Sequence, residues 1–463
     1  MARAVAMAVL ALVCFDMTTA HAATPARPLL IEHVTILPMT AGGAPIPDAS
    51  VIVENGRIEV IDTDHHARLP RNGRRIDAKG KFLLPGFTDM HTHIQNDRLM
   101  RIWTGDKTIP DGAVDLEDTL FPFVANGVTQ VFNLTAMSEA VGQRVEIESG
   151  RVLGPHLANA MMIDGSPPMW PLGMTRGAAT PEDGRQSVRD ASADGFEFIK
   201  VYSKLTLDTF SAIVDEARKH QMRVVGHIPQ REQNLTEKFF QPGFDLVAHA
   251  EEFAQQTAPP AFDAIPRYVE MSNRNGTWLT ATLTLDERIV EQMRDPKTLE
   301  RRKELRYLPP GEYRVLQHDN PYQKGVDANR IHYVQGIVDF NRKLVAAFVA
   351  AGIPVLTGTD SPVPGVVPGF SLHDEFEALS RAGVGNQQIL EATTRQPAEW
   401  LGTIGDRGTV ETGKRADLIL LDANPLVDIS NTRRIHAVIV GGNYLDRQYL
   451  DGRLARLAAR NDN

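Results

Sequence analysis

The sequence predicts an α/β fold: a (β/α)8 TIM barrel joined to a β-sandwich domain split between the two ends of the chain. Three observations carry that expectation. Between Pro85 and Gly402, eight short apolar strand candidates alternate with amphipathic helical stretches. Blocks of short strands with turn chemistry, such as Asn55-Gly56, stand on either side of that region. Neither block alone has enough strands or core to be independent, so the two are expected to pair. A chain of 463 residues, 42% of them hydrophobic, suffices for a fold of this size.

The elements follow in order. Residues 1–22 read as an export signal: Arg3 is a short positive start, Ala4 to Phe15 an apolar stretch, and Ala20-His21-Ala22 a cleavage site. Those apolar residues are too few to cross roughly 30 Å of hydrocarbon, so a periplasmic or secreted protein without a membrane span is expected. The single cysteine, Cys14, leaves with the signal. No thiolate then remains, and any metal is to be held by nitrogen and oxygen. The net charge of −9 and the lack of a basic run argue against a nucleic-acid partner.

Residues 23–84 and 405–463 make up the composite β-domain, and residues 85–404 the barrel. The barrel strands are expected at 86–93, 128–134, 156–164, 196–203, 223–229, 244–251, 277–284 and 353–360. Residues 285–327 are long for one connection and rich in charge and proline, which suggests an insertion over the barrel mouth or flank. "GTVETGK", Gly408 to Lys414, has the spacing of a phosphate-binding loop. Arg415 stands where that motif needs a hydroxyl, and strands rather than a helix flank it, so it reads as a turn.

Barrel active sites lie at the C-terminal ends of the strands. The first strand ends in His91 and His93, which share a face because side chains two apart on a strand point the same way. The fourth carries Lys200, the fifth His227, the sixth His249, and the eighth ends in Asp360. Each alone could be structural. Together at one barrel face, four imidazoles, an amine and a carboxylate would be expensive to bury without a metal.

The order HxH, Lys, His, His, Asp resembles the amidohydrolase superfamily of metal-dependent hydrolases. "LLPGFTDMHTH", "NGVTQVFNL", "GTDSPVPG" and "GTVETGKRADLILLDANPL" carry the likeness, which covers nearly the whole chain after the signal. Within it, the chain is similar to the imidazolonepropionase and Xaa-Pro dipeptidase-like branch. The resemblance implies two divalent metal ions, with zinc favoured over cobalt or manganese. His91, His93 and Asp360 would hold one ion, His227 and His249 the other, and Lys200, carboxylated by CO2 to a carbamate, would bridge them. It also implies a bridging hydroxide as nucleophile and Asp360 as general base and acid.

The expected substrate is a small molecule, a dipeptide or N-acyl amino acid whose amide bond is cleaved. A cyclic-amide, lactone or ester hydrolase on the same site is the alternative, and a non-catalytic structural relative the remote one. Tyr202 shares parity with Lys200 and is a candidate catalytic contact, as is His373 where a loop enters a helix. Glu251 could meet a cationic group. Met169, Trp170 and Met174 could form a wall for an apolar or aromatic group. A homo-oligomer is compatible with the sequence.

Overall fold

The structure is a computed structural model that describes residues 26–105, 107–108, 114–232, 234–318 and 320–461. The expected export segment, residues 1–22, lies outside the described residues. Among the described residues no helix is long and apolar enough to cross a membrane.

The eight barrel strands are β1 (Phe87–Thr92), β2 (Val128–Asn133), β3 (His156–Gly165), β4 (Phe198–Val201), β5 (Arg223–Gly226), β6 (Phe244–Val247), β7 (Trp278–Thr280) and β8 (Val355–Leu356). They lie side by side in chain order, each parallel to the next. Closure comes from backbone bonds between the ends: Met90 N donates to Thr357 O at 3.0 Å, Asp360 N to His91 O at 2.8 Å, and His93 N to Ser361 O at 2.8 Å. All eight expected strands are present. Several end earlier than their apolar runs, so His93, His227, His249 and Asp360 stand just past the ladder.

Helices cover the barrel with the expected spacing. Leu207–Lys219 is capped by Thr206, whose side chain accepts from Thr209 N. It buries Phe210, Ile213, Val214 and Ala217, three and four residues apart, on one face. Phe210 meets Phe239 and Phe244 edge-on at 5.0 and 5.3 Å. Removing such a ring costs about 3–5 kcal/mol. Inside the barrel, Phe132, Phe198, Val225, Leu246, Leu356 and Trp400 form a separate apolar cluster.

The composite β-domain is built from both chain ends. Leu29–Ile36 forks: its first half pairs in parallel with Arg74–Asp77 and its second with Phe82–Pro85. Phe82–Pro85 pairs antiparallel with Leu418–Leu421, which leads on to Ile435–Val440 and Asn443–Asp446. On the other side follow Ile46–Glu54 and Arg57–Asp62. The sheet curls until Ile58 N meets Lys414 O at 2.9 Å and Ala416 N meets Gly56 O at 2.8 Å. Residues from both ends, such as Ile31, Val51, Ile58, Leu418 and Ile439, share the enclosed core. The "GTVETGK" stretch is a turn, with Lys414 paired to Glu411 at 2.7 Å.

His156, at the start of β3, ties the two units together. Its ring nitrogens lie 2.8 Å from Asp417 and 2.6 Å from Glu148. Burial disfavours its charge, but Asp417 and Glu148 overcome that and raise its pKa.

The stretch expected as an insertion begins within a helix, Leu283–Arg294, whose first amides donate to Glu375 at 3.1 and 2.7 Å. Two shorter helices, Thr298–Arg301 and Pro310–His318, follow before Ala328–Ala350 returns along the barrel.

Candidate metal centre

The strand ends bring six of the predicted residues together. His91 and His249 rings lie 4.2 Å apart, His91 and His93 5.2 Å, and His227 and His249 5.2 Å. Lys200 Nζ is 3.3 Å from His91 Nε2. Asp360 Oδ1 is 2.7 Å from His93 Nε2 and 3.3 Å from His91 Nε2. Local backbone makes this approach feasible. Gly226, at φ 148°, precedes His227, and a Cβ there would fall 2.1 Å from Val201 O. Asp360 itself is left-handed, at φ 62°.

Every imidazole is held by its Nδ1. His91 Nδ1 donates to Ala248 O at 3.1 Å, which assigns its proton because a carbonyl only accepts. His93 Nδ1 meets Thr135 Oγ1 at 2.7 Å and His249 Nδ1 meets Thr282 Oγ1 at 3.1 Å. His227 Nδ1 lies 2.7 Å from Glu252 Oε1 and 3.0 Å from Ser203 Oγ. Its Nε2 is buried with no hydrogen-bond partner among the described residues. Outer contacts of this kind orient metal-binding histidines and leave the other nitrogen free.

The electrostatics agree with a ligand set. Burial, reinforced by Lys200, lowers the pKa of His91 and His227 well below the usual range and brings His249 to about 3 against the pull of Asp360. Burial lowers His93 too, against the pull of Asp360. Burial brings Lys200 down to about 8, although Asp360 and Glu252 oppose it. Burial would raise Asp360, yet its hydrogen bond to His93 and the nearby His249 and Lys200 hold it at about 2. The ligand atoms of His91, His249 and Asp360 lie within 4.8 Å of one another and could hold a metal ion. Neutral imidazoles, an orphaned buried Nε2 and an ionised carboxylate fit a divalent ion of borderline hardness.

The centre lies in a cavity of about 410 Å³ that also meets Tyr202, Trp170, Met174 and Glu251. Tyr202 OH accepts a hydrogen bond from Trp170 Nε1 at 2.8 Å, and its ring lies 3.9 Å from that of His227. Burial raises the Tyr202 phenol above its ordinary range. Glu251 is raised by burial and by Glu252, and it is hydrogen-bonded to Asp286, which is raised in turn. Met169 is exposed and does not line this cavity.

His373 is not brought to the site. It is buried on helix Phe370–Arg381, with Nδ1 2.9 Å from Thr432 Oγ1 and its ring edge-on to Phe87 and Phe376. The start of that helix is pressed against another: a Cβ on Gly369 would sit 2.3 Å from Pro122 O. Buried there and outside the cavity, His373 is not placed to act on a substrate, contrary to the sequence expectation.

Sequence reading missed Asp89, two residues before His91. Its oxygens accept from Thr359 N at 3.0 Å, Thr359 Oγ1 at 2.7 Å and His91 N at 3.2 Å, joining β1 to the loop that carries Asp360. It also missed Gln95, Glu252, Thr282 and Glu312. The same-face spacing of Asp89, His91 and His93 was the one available signal.

Comparison with known proteins agrees with this architecture. The amidohydrolase family profile matches residues 82–445. An imidazolonepropionase of Streptomyces coelicolor is 33% identical over 117 residues, 25% of this chain and 25% of that enzyme. An adenine deaminase of Clostridium botulinum is 28% identical over 185 residues, 39% of this chain. The matched region spans only 28% of that deaminase's length. Among solved structures, a bottromycin amidohydrolase superposes with a TM-score of 0.73 at 22% identity, covering 95% of this chain and 92% of its own. A Xaa-Pro dipeptidase with bound methionine gives 0.69 at 18% identity, covering 90% of this chain and 100% of its own. With the profile matching well over half its length, the chain belongs to the amidohydrolase family.

Proposed function

We propose that this protein hydrolyses the amide bond of a dipeptide or N-acyl amino acid, using a binuclear metal centre at the mouth of the barrel. The observation that carries the reading is the convergence of four Nδ1-anchored imidazoles with Lys200 and Asp360, all but the fully buried His91 lining one cavity. His91, His93 and Asp360 would hold one ion and His227 and His249 the other. Lys200 would lie between them as a carbamate, formed when its neutral amine takes up CO2 and releases a proton. Zinc suits the nitrogen and oxygen donors best. Such ions, when bound, polarise a carbonyl and make water acidic enough to attack at neutral pH.

The chain's own residues supply the rest. Asp360 takes the proton of the attacking water and returns it to the leaving nitrogen. Tyr202, fixed by Trp170 on one side and His227 on the other, offers its hydroxyl to a substrate carbonyl or carboxylate. Trp170, Met162 and Met174 give one wall of the cavity an apolar surface. We also propose export to the periplasm or beyond, which N-terminal sequencing of secreted protein would check.

The test is a screen of purified, zinc-loaded protein against dipeptides, N-acyl amino acids and lactones. Release of an amine from at least one of the first two classes is expected. Turnover confined to lactones would favour the cyclic-ester alternative.

A further inference from the structure

Two buried polar side chains in the cavity have no hydrogen-bond partner among the described residues. Gln95 is 2% exposed and Glu312 is 8% exposed, and neither the carboxamide atoms of the first nor the carboxylate oxygens of the second make a hydrogen bond. Both line the cavity that holds the metal-centre residues. Gln95 follows the HxH pair. Glu312 stands on helix Pro310–His318, which packs on helix Asp97–Thr104, so that a Cβ on Gly311 would lie 3.0 Å from Met100 Cε.

The other acids lining the cavity are already engaged: Asp360 with His93, and Glu251 with Asp286. Lys200 is the only lysine or arginine among the described residues that line it. Among the described residues no cation is paired with Glu312, and burial drives its pKa well above the usual carboxyl range. A carboxyl and a carboxamide left unsatisfied in an apolar wall are costly, and a ligand that satisfies both removes the cost.

We propose that Glu312, assisted by Gln95, is a specificity site for an ammonium or guanidinium group carried by the substrate. The hydrocarbon between that group and the scissile bond would lie along Met100 and Leu316, which line the same cavity. That the bound cation belongs to a substrate rests on the amide-hydrolase reading above, whereas the cation site rests on the cavity alone. Within the proposed class, it selects amides bearing a basic group over N-acyl amino acids with an uncharged side chain.

Two measurements on the zinc-loaded full chain separate the two claims. In titration calorimetry, n-hexylammonium should bind at least about tenfold more tightly than 1-hexanol, and Glu312→Gln should remove that preference while metal content and melting stay unchanged. Equal binding of the two probes overturns the proposal. A preference that survives in Glu312→Gln also overturns it, since the amine would then sit on the metals. In the second assay, leucyl-lysine and lysyl-leucine are compared with their ε-acetyl forms. At least one free-ammonium peptide should be cleaved with about tenfold higher kcat/KM, lost in Glu312→Gln mainly through KM. Cleavage without any ammonium preference sinks the cation site and leaves the hydrolase reading standing. Ammonium binding through Glu312 with no peptide cleaved does the reverse.

Discussion

Glu252 Oε1 lies 2.7 Å from His227 Nδ1, while its other oxygen accepts from Ile228 N at 2.9 Å. One carboxylate thus fixes both the ring and the backbone that follows it, and turns Nε2 towards the centre. Glu252→Gln should keep the backbone contact and lose the charged anchor. The expected result is a 10–100-fold weaker metal affinity, read by competition with a chromogenic chelator. Unchanged affinity would mean that Ser203 alone orients the ring.

Lys200→Ala removes the amine that stands 3.3 Å from His91 Nε2. Stable occupancy of at least one metal position should be lost, lowering the metal-to-protein ratio. Two tightly held ions in the variant would contradict a bridging lysine.

Asp360→Asn keeps an oxygen near His93 but cannot accept a proton. Turnover should fall by about 10²–10⁴-fold, mainly in kcat, with metal loss adding to it. A variant that retained both metals and stayed within about threefold of the parent rate would transfer the proton role to another group.

His156→Ala breaks the buried junction with Asp417 and Glu148, and should destabilise the protein by about 3–5 kcal/mol near pH 6. The pH dependence has a definite sign. His156 has a raised pKa, so its contribution is full below the unfolded value of about 6.5 and fades as pH rises through the folded value. Burial works against both carboxylates, but contact with His156 and nearby arginines leaves them lowered, Glu148 to about 2. Their contribution is full above the unfolded values, about 4, and fades as pH falls towards the folded ones. Parent and variant should therefore differ most between about pH 4.5 and 6.5, converging on either side in denaturant titrations.

The six residues gathered at the centre are legible in the sequence because each is an ionisable side chain at or near the end of an apolar run. Their anchors are not. Ala248, Thr135 and Thr282 contribute a carbonyl and two hydroxyls, groups so common that only the folded loops reveal their role. Reading 244–251 as one strand puts Glu251 on the same face as His249 only if the chain stays extended. β6 ends at Val247 and a helical turn, Glu251–Ala254, begins there, so Glu252 is the residue that turns to His227. His373 misleads for another reason: its helix buries it against Phe87, Phe376 and Thr432 rather than in the cavity, a packing choice that its place after the last strand does not reveal. Glu312 lies in a stretch whose pattern gave only its length and charge, so its burial could not be foreseen.

The pairing of Phe82–Pro85 with Leu418–Leu421 has a consequence for how the molecule comes into being. The innermost strands of the β-domain are separated by the whole barrel, so that domain cannot close until almost all of the polypeptide is available. Contacts so distant in sequence form slowly, because the loop between them must first be ordered. Assembly should therefore proceed from the middle outwards, with the β-domain sealed last. A chain cut short before Leu418 would leave Leu83 and its neighbours without a strand to cover them, an open edge on which aggregation can start.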